Sequence, residues 1–421
     1  MRVSKKSYNQ YNFNIETSGL NEDNLNMFFR LIYERQMIWK RRFIDCLPAP
    51  WTTDEIFAKF KFCNVYREHD RSCQWEIRNI IMDPNIDDIR NLVWKILVYR
   101  TFNNPETFAR ALEKWPNGIP DFDSYDENAF ADHISFIREI GLNPFTNAYS
   151  ITGNVSRGNT IDDQFCHTVI PTIHDNIDVI INMIDNARMP EQIITFLMTL
   201  PSVSKFIAHE YYQDFTYIPI YSDRKLMKFD QNDYTNLGPG SSQGVRLLFP
   251  KLKTPEQIYS YDYLLNIAEE KLEEIGLEKG ELMPYTQWNK ETKQYDIISE
   301  CNFTYNQIEG ALCEFSKYMR IYNRTGRPRC SEFEAKTSTI IVSREENSQD
   351  EFLTEFEDLT GHKGARRNKT IDDFASNKVS NPRGPYKKHS ADVDFAMTLN
   401  LNLNVLNLKT VLDELKDFLT K

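Results

Sequence analysis

The amino-acid sequence predicts a mainly α-helical protein that carries a C-terminal extension. Apolar residues recur at helical spacing along most of the chain before residue 340, and strand-like alternation is sparse. The composition changes after residue 343, where large apolar residues become rare. With 421 residues, of which 41% are hydrophobic and 13% aromatic, the chain is long enough for a large folded body and an appendage.

The individual helices are predicted from apolar spacing and from signals at their ends. The first, residues 21–43, has acidic residues near its start and basic residues near its end, as the helix dipole favours. Further stretches with helical spacing are 53–60, 88–100, 105–113, 128–139, 177–186, 190–200, 204–214 and 254–275. The sequence therefore predicts one helical body over residues 20–340.

The extension divides into two parts. An acidic stretch after residue 343 is followed by a basic, polar stretch with little to bury, which predicts a flexible linker over residues 341–392. Apolar spacing returns near the end of the sequence and predicts an amphipathic helix over residues 393–421.

Composition also argues against several classes of protein. A net charge of −11 is unfavourable for a protein that coats nucleic acid over its whole surface, although a local basic face remains compatible with it. The seven cysteines are scattered without a C-x-x-C pair, so no metal or other cofactor is predicted. The sequence has no signal-peptide core and no apolar run of about 18 residues. We therefore expect a cytoplasmic protein without membrane contact.

The segment LPSVSKFIAHEYYQDF, residues 200–215, has the frame of a hairpin that binds a DNA phosphate through backbone N–H groups. Ser202 and Ser204 occupy the two places where glycine is expected. Ser204 can still cap the following helix, so a phosphate site that includes Lys205 remains a hypothesis. The alternative is an ordinary corner between two helices that binds no ligand.

A second stretch, FDQNDYTNLGPGSSQGVRLLF at residues 229–249, predicts a glycine-rich loop that leads into a helix. Exposed N–H groups in such a loop can bind an anion. The candidate residues here are Gly238, Gly240, Ser241 and Arg246.

A third stretch, residues 50–75, gathers Asn64, Tyr66, Arg67, Asp70 and Arg71 within eight positions. Tyrosine can stack on an unpaired base, and arginine can bind a phosphate or a base edge. The alternative is an exposed helix with ion pairs between residues three apart.

The fourth stretch, residues 305–329, places Glu309, Cys313, Lys317 and Arg320 on one helical face. This spacing predicts a face packed against the body, and the basic end of the stretch is a candidate for DNA contact. Lys317 and Arg320 therefore join the candidate DNA-binding residues.

Together with VYRTFNNPETF at residues 98–108, these stretches resemble the alpha-glutamyl/putrescinyl thymine pyrophosphorylase family. That family shares a helical domain with phage 5-hydroxymethyluracil DNA kinases and is related in fold to helix-hairpin-helix DNA glycosylases, including antiviral ones. The resemblance spans residues 25–335, and its most specific parts are FCNVYREHDR, the arrangement from TLPSVSKFIAHEYYQDF to GPGSSQG, and IEGALCEFSKYMR. It implies a helix-hairpin-helix DNA glycosylase-like core. The residues that it assigns to substrate DNA are Asn64, Tyr66, Arg67, Arg71, Arg100 and Asn103.

The function implied by this resemblance is a DNA glycosylase of antiviral defence. Such an enzyme would flip a hydroxymethylated or glycosylated pyrimidine out of phage DNA and hydrolyse its N-glycosidic bond. Lyase chemistry is not expected, because Phe206 occupies the place of the Schiff-base lysine and Lys205 lies one residue before it. One alternative is a transferase that attaches an amino acid or polyamine to an activated hydroxymethyl-pyrimidine in phage DNA. Another is a non-catalytic binder of modified DNA.

A carboxylate is the expected catalytic group of a glycosylase, because the bond breaks through an oxocarbenium-like sugar that a negative charge stabilises. Asp214 follows the hairpin, and Asp233 lies five residues before Gly238. Both are candidates, and Asp230 ranks third.

Overall fold

The computed structural model describes residues 13–45, 47–148, 160–276 and 303–325, together with two strands at 285–289 and 294–298. The predicted linker, 341–392, and the predicted terminal helix, 393–421, lie outside the described residues. The boundary of the helical body near residue 340 therefore stays a prediction.

Helices dominate these ranges, which confirms the predicted fold class of a mainly α protein. In chain order the α-helices are α1 (Ile15–Ser18), α2 (Glu22–Trp39), α3 (Glu55–Lys59), α4 (Arg71–Glu76), α5 (Ile89–Phe102), α6 (Pro105–Ala109), α7 (Glu127–Glu139), α8 (Ile161–Gln164), α9 (Ile170–Asp175), α10 (Ile177–Asn186), α11 (Pro190–Leu197), α12 (Lys205–Tyr221), α13 (Pro239–Leu248), α14 (Ser260–Glu274) and α15 (Tyr305–Tyr322). Short 3₁₀ or π-helical segments are Lys40–Ile44, Arg67–His69, Ile77–Ile81, Pro116–Gly118, Phe122–Ser124, Phe165–Val169 and Thr254–Tyr259.

Two antiparallel strands, β1 (Tyr285–Asn289) and β2 (Gln294–Ile298), form a hairpin in which Tyr285 pairs with Ile298. This hairpin was not predicted. The sequence signal for a short, two-stranded ribbon is weak because it lacks the long apolar alternation of a buried sheet.

The helices begin where polar side chains can satisfy their free backbone N–H groups. Asn21 Oδ1 accepts from Asn24 N at 3.0 Å at the start of α2, and Asp54 Oδ1 accepts from Ile56 N at 2.8 Å at the start of α3. Both caps lie directly before the first helical residue, so these helix starts follow from local sequence.

One part of the core joins α2, α13, α14 and α15. Phe28 of α2 lies edge-on to Phe315 of α15 with ring centroids 5.6 Å apart, and both side chains are fully buried. Elsewhere α5 packs against α10 and α12. The long buried helices α12 and α15 carry residues of the candidate site described below, so this packing determines where those side chains lie.

Helices α13 and α15 approach each other closely because α13 presents glycines. A Cβ added at Gly240 would overlap the Cys313 side chain, and one at Gly244 would overlap the Leu312 backbone carbonyl. Backbone cannot move aside as a flexible side chain can, so Gly244 sets the distance between these two helices.

A group of buried charges lies between α4, α5 and α12. Arg100 of α5, 1% exposed, forms a bidentate ion pair with Asp214 of α12, which is 0% exposed. Arg100 also donates to Glu76 at 3.2 Å and to Glu210 at 3.4 Å. Burial, reinforced by the neighbouring Asp214 charge, raises the pKa of Glu76 well above its ordinary value. This network of one guanidinium and three carboxyls connects the three helices.

We expect Gly244→Ala to destabilise the protein by about 1–3 kcal/mol, because the added methyl group must displace the Leu312 carbonyl. Gly310→Ala in α15 is the matched control, since its Cβ would meet only Arg67 Cδ, at 3.9 Å. There the better helix propensity of alanine should raise the free energy of unfolding, by up to about 1 kcal/mol. Denaturant titration measures the free energy of unfolding of both variants. Equal changes at positions 244 and 310 would contradict the packing argument.

We expect Arg100→Met to lower the free energy of unfolding by about 3–5 kcal/mol, because it leaves the buried Asp214 carboxylate without its partner. Arg90→Met is the control, since the Arg90–Asp178 pair is 43% and 70% exposed. Its loss should change stability by about 1 kcal/mol or less. If Arg100→Met lowered the free energy of unfolding only slightly, the network would not be what joins these helices.

Candidate functional site

The hairpin turn between α11 and α12 takes a backbone shape that normally favours glycine. Ser202 has φ 63°, and its Oγ accepts a hydrogen bond from Gln164 Nε2 at 2.8 Å. Ser204 caps α12, because its Oγ accepts from Ile207 N at 3.3 Å. Lys205 follows at the exposed start of α12. The turn therefore keeps its shape with serine in both glycine places, while phosphate binding there stays a prediction.

A small cavity lies beneath this turn, and its walls are mostly apolar. Its two buried hydroxyls, on Thr101 and Tyr211, already bond to each other at 2.6 Å. The cavity thus offers few polar atoms to a nucleotide, and it is less suited to one than the polar cluster described below. Its other lining residues include Phe165, Val169, Val203 and Ile207.

Residues 64–71 form a polar turn organised by Asp70. Asp70 Oδ1 accepts from the backbone N of Asn64 at 2.8 Å and from its Nδ2 at 3.1 Å, and Asp70 Oδ2 lies 3.0 Å from Arg67 Nε. Tyr66 is 2% exposed, which removes it from the surface as a stacking platform in this conformation. Arg71 pairs with Glu106 at 2.9 Å. Arg67 also reaches α12, through Glu210.

Five side chains form what we call the Arg67 cluster: Arg67, His209, Glu210, Asn306 and Glu309. Arg67 Nη2 lies 3.5 Å from Glu210 Oε2, and the Arg67 charge also acts on His209 and Glu309. The Asn306 amide neighbours the His209 ring without the alignment of a hydrogen bond. Arg67 and Glu309 keep some exposed surface, so the cluster reaches solvent. It joins the 64–71 turn, α12 and α15.

The cluster perturbs the ionisation of its members. Burial raises the pKa of Glu309 to about 7, and the nearby Glu210 charge adds to this shift while Arg67 opposes it. Burial lowers the pKa of His209 to about 4, so its imidazole is neutral at pH 7. Although burial opposes it, the charges of Arg67 and Arg100 lower the pKa of Glu210. The cluster therefore contains a neutral imidazole beside one carboxyl that titrates near neutral pH.

Several buried polar atoms near the cluster have no hydrogen-bond partner within the described part of the chain. Buried polar groups are nearly always bonded in native proteins, and each unmade bond costs about 1–3 kcal/mol. The side chains concerned are 3% to 7% exposed. A polar ligand would supply the missing partners. The atoms are Nε2 of His209, Oδ1 and Nδ2 of Asn306, Oγ1 of Thr235 and Oε2 of Glu68.

The predicted glycine-rich loop leads into α13 beside this cluster. Gly238 is the N-cap residue of α13, and Ser241 Oγ donates to its carbonyl oxygen at 3.1 Å. A Cβ at Gly238 would lie 3.4 Å from Glu309 Oε1, so the Glu309 carboxyl lies against the start of α13. Arg246, at the other end of α13, donates to Thr254 Oγ1 at 3.2 Å. The loop therefore contributes to the site mainly through Gly238 and Ser241.

The three candidate aspartates have different environments. Asp214 lies in the interior, paired with Arg100, and is 0% exposed. Asp230 and Asp233 form a turn in which Asp230 N donates to Asp233 Oδ2 at 2.8 Å and Asp233 N donates to Asp230 O at 3.1 Å. Each carboxylate thus has a structural partner, and the structure does not bring the three together.

The remaining candidate residues have local partners. Asn103 ends α5 with φ 46°, and its Oδ1 accepts from Arg100 Nη1 at 3.3 Å. Lys317 pairs with Glu314 at 2.6 Å, and Arg320 Nε donates to the Ser316 carbonyl at 3.2 Å. Their assignment to DNA stays a prediction.

Sequence reasoning did not place His209, Glu210 or Asn306 in a site, and it noted Glu309 only for its helical face. One signal was available: Glu210 and Asp214 are four residues apart, and Asn306 and Glu309 three apart, so each pair shares a helix face. Among the described residues, no group of three or more His, Cys, Asp or Glu side chains is arranged to hold a metal ion. No helix within those ranges is long and apolar enough to cross a bilayer.

The raised pKa of Glu309 predicts a pH dependence of stability. Because its folded-state pKa is about 7, the folded protein retains a proton there that the unfolded chain, with an ordinary glutamate pKa near 4.5, has released. The stability that Glu309 contributes is therefore complete below about pH 4.5 and is lost as the pH rises through about 7. Glu309→Gln should remove this part of the pH dependence in urea titrations, whereas Glu139→Gln at the exposed end of α7 should not. If the free energy of unfolding varied with pH in the same way for wild type and Glu309→Gln, this prediction would be contradicted.

Residues 22–327 match the family described as the helical domain of 5-hmdU DNA kinase. A curated relative, the 5-hmdU DNA kinase of Bacillus phage SP10, is 26% identical over 305 residues. The aligned region covers 70% of this chain and 45% of the kinase, so the chain spans less than half of that relative's length. No solved structure matches the chain.

The expectation of a DNA glycosylase is wrong. The relative is named as a kinase, an enzyme that transfers a phosphoryl group, whereas a glycosylase hydrolyses an N-glycosidic bond. The alternatives of an amine transferase and a non-catalytic binder are not better supported, and the relation to glycosylases is not shown. The family match covers well over half of the sequence. The chain therefore belongs to the family of the 5-hmdU DNA kinase helical domain.

Proposed function

We propose that this chain serves the phosphorylation of a 5-hydroxymethylpyrimidine in DNA, and that its helical body holds the acceptor nucleotide at the Arg67 cluster. The observation that carries the proposal is the group of buried, unpartnered polar atoms within the described residues of the matched region. A hydroxymethylated base offers what such atoms lack, namely a hydroxyl that both donates and accepts and a ring edge with further polar groups.

Glu309 is suited to the acceptor hydroxyl because it is partly exposed and has a pKa of about 7. A base with a pKa near the working pH is effective in proton transfer. In the proposed reaction the hydroxyl oxygen attacks the terminal phosphorus of a nucleoside triphosphate, the bond to the leaving diphosphate breaks, and the hydroxyl proton passes to Glu309. The sequence carries no Walker loop, and the proposal concerns the acceptor side of the reaction.

Arg67 supports binding of DNA at the same place. Arg67 is partly exposed and is held by Asp70 and Glu210. Its guanidinium can still donate a hydrogen bond to a further partner. The chain as a whole has a net charge of −11, so we expect contact with DNA to be local and of small footprint. This favours recognition of a single extruded nucleotide over coverage of a long stretch of duplex.

The test is binding of the full chain to fluorescent oligonucleotides that differ only in one central base, 5-hydroxymethyluracil or thymine. We expect at least about tenfold tighter binding to the hydroxymethylated DNA, because a site built to bond a hydroxyl leaves polar groups unpaired when the hydroxyl is missing. Glu309→Gln should reduce this preference by about tenfold or more, as expected when a charged hydrogen-bond acceptor is lost.

Glu139→Gln, on the exposed end of α7, is the matched control and should keep the preference of the wild type. Equal affinity of the wild-type chain for the two oligonucleotides would overturn the proposed function. A preference that survives Glu309→Gln unchanged would remove Glu309 from the role of hydroxyl acceptor.

A further inference from the structure

Asn306 has no evident structural task. It is the second residue of α15 and is 3% exposed, and its amide makes no well-aligned hydrogen bond within the described ranges, although the His209 ring lies beside it. The helix start is already capped by its neighbours, because Thr304 N donates to Gln307 Oε1 at 2.8 Å and Thr304 Oγ1 also bonds to Gln307. The Asn306 amide is therefore not required to cap α15.

His209 presents a third unpartnered atom next to this amide. Its ring is 4% exposed, and its Nε2 lacks a partner among the residues that the structure describes. The Tyr234 ring centroid lies 5.7 Å from that of His209, and the Asn306 amide is a second neighbour of this ring. Because burial keeps this imidazole neutral, His209 can act as a single donor or acceptor without adding charge. An amide and an imidazole thus offer three polar atoms side by side.

The chemistry of these atoms favours a neutral, planar ligand over an anion. Glu210 and Glu309 lie in the same cluster, so a phosphate would meet carboxylates as well as Arg67. A side-chain amide places one donor next to one acceptor, which matches the adjacent carbonyl and ring N–H of a uracil-type pyrimidine. A base edge therefore satisfies both Asn306 atoms at once.

We propose that Asn306 and His209 read the Watson–Crick edge of the extruded pyrimidine: Asn306 Nδ2 donates to the carbonyl at C4, Asn306 Oδ1 accepts from N3–H, and His209 Nε2 provides a further polar contact. This inference rests on the proposed function for the identity of the base. It concerns other residues than Glu309 and another side of the pyrimidine ring than the hydroxymethyl group. Asn306 and His209 determine which ring is accepted, whereas Glu309 faces the hydroxymethyl group.

The test compares three oligonucleotides, with 5-hydroxymethyluracil, thymine or an abasic tetrahydrofuran at the central position. Asn306→Ala in the full chain should weaken binding to 5-hydroxymethyluracil DNA by about 10- to 100-fold, the range expected for losing a bidentate base contact. Its binding to the abasic DNA should remain within about twofold of the wild type, because no base edge is present. Asn186→Ala, on the exposed surface of α10, is the matched control and should change neither affinity.

Asn306→Asp provides a second variant of nearly the same shape that lacks the NH₂ donor, and it should show the same selective loss. Asn306→Ala should unfold within about 1 kcal/mol of the wild type, whereas loss of a bonded structural amide would cost about 1–3 kcal/mol. Unchanged binding of 5-hydroxymethyluracil DNA, or equal losses on base-containing and abasic DNA, would overturn the inference.

The same measurements separate this inference from the proposed function. The function depends on the wild-type preference for 5-hydroxymethyluracil over thymine, which share one ring edge and differ in the substituent. The edge reading depends on the effect of Asn306 variants on either pyrimidine relative to the abasic DNA. A wild type without hydroxymethyl preference, combined with a base-selective loss in Asn306→Ala, would overturn the function and support the edge reading. Equal binding of all three oligonucleotides by the wild type would overturn both.

Discussion

The interior of the described body depends on how two arginines share a larger number of acidic side chains. Arg67 and Arg100 both contact Glu210, at 3.5 Å and 3.4 Å. A buried guanidinium remains charged, so the number of ionised carboxylates around it is limited by the charge that the two arginines can neutralise. This limit is clearest at Glu76, where burial, reinforced by the neighbouring Asp214 charge, raises the pKa well above its ordinary value. The remaining acids of the network are Asp70, Glu210 and Asp214.

Glu210 gives this network a functional meaning, because it joins the interior ion pairs to the Arg67 cluster. The Arg100 end is closed to solvent, and the Arg67 end is partly open. The buried ion pairs restrain the neighbouring side chains, and a restrained arrangement is what selective recognition at a site requires. The unpartnered atoms of His209 and Asn306 therefore lie next to the most constrained part of the molecule rather than on a mobile loop.

Local sequence signals predicted the helices well where apolar spacing and end signals agree. The predicted helix 177–186 has the observed bounds, Ile177–Asn186, while the helix predicted to end at residue 214 continues to Tyr221 because Phe215 and Ile218 remain buried. The site was harder to predict, since the Arg67 cluster combines residues 67, 209 and 306, which no spacing rule connects. Tertiary packing of α12 against the 64–71 turn and α15 creates it, and a single sequence carries no direct record of that contact.

The close approach of α13 and α15 limits how this site can diverge. Gly240 contacts Cys313, and Ser241 and Glu309 each lie within four residues of that contact on their own helices. A larger residue at 240 has room only if the Cys313 side chain moves aside or is replaced by a smaller one, so substitutions at these two positions should be coupled. Divergence within the Arg67 cluster is in this way kept away from the contact between α13 and α15.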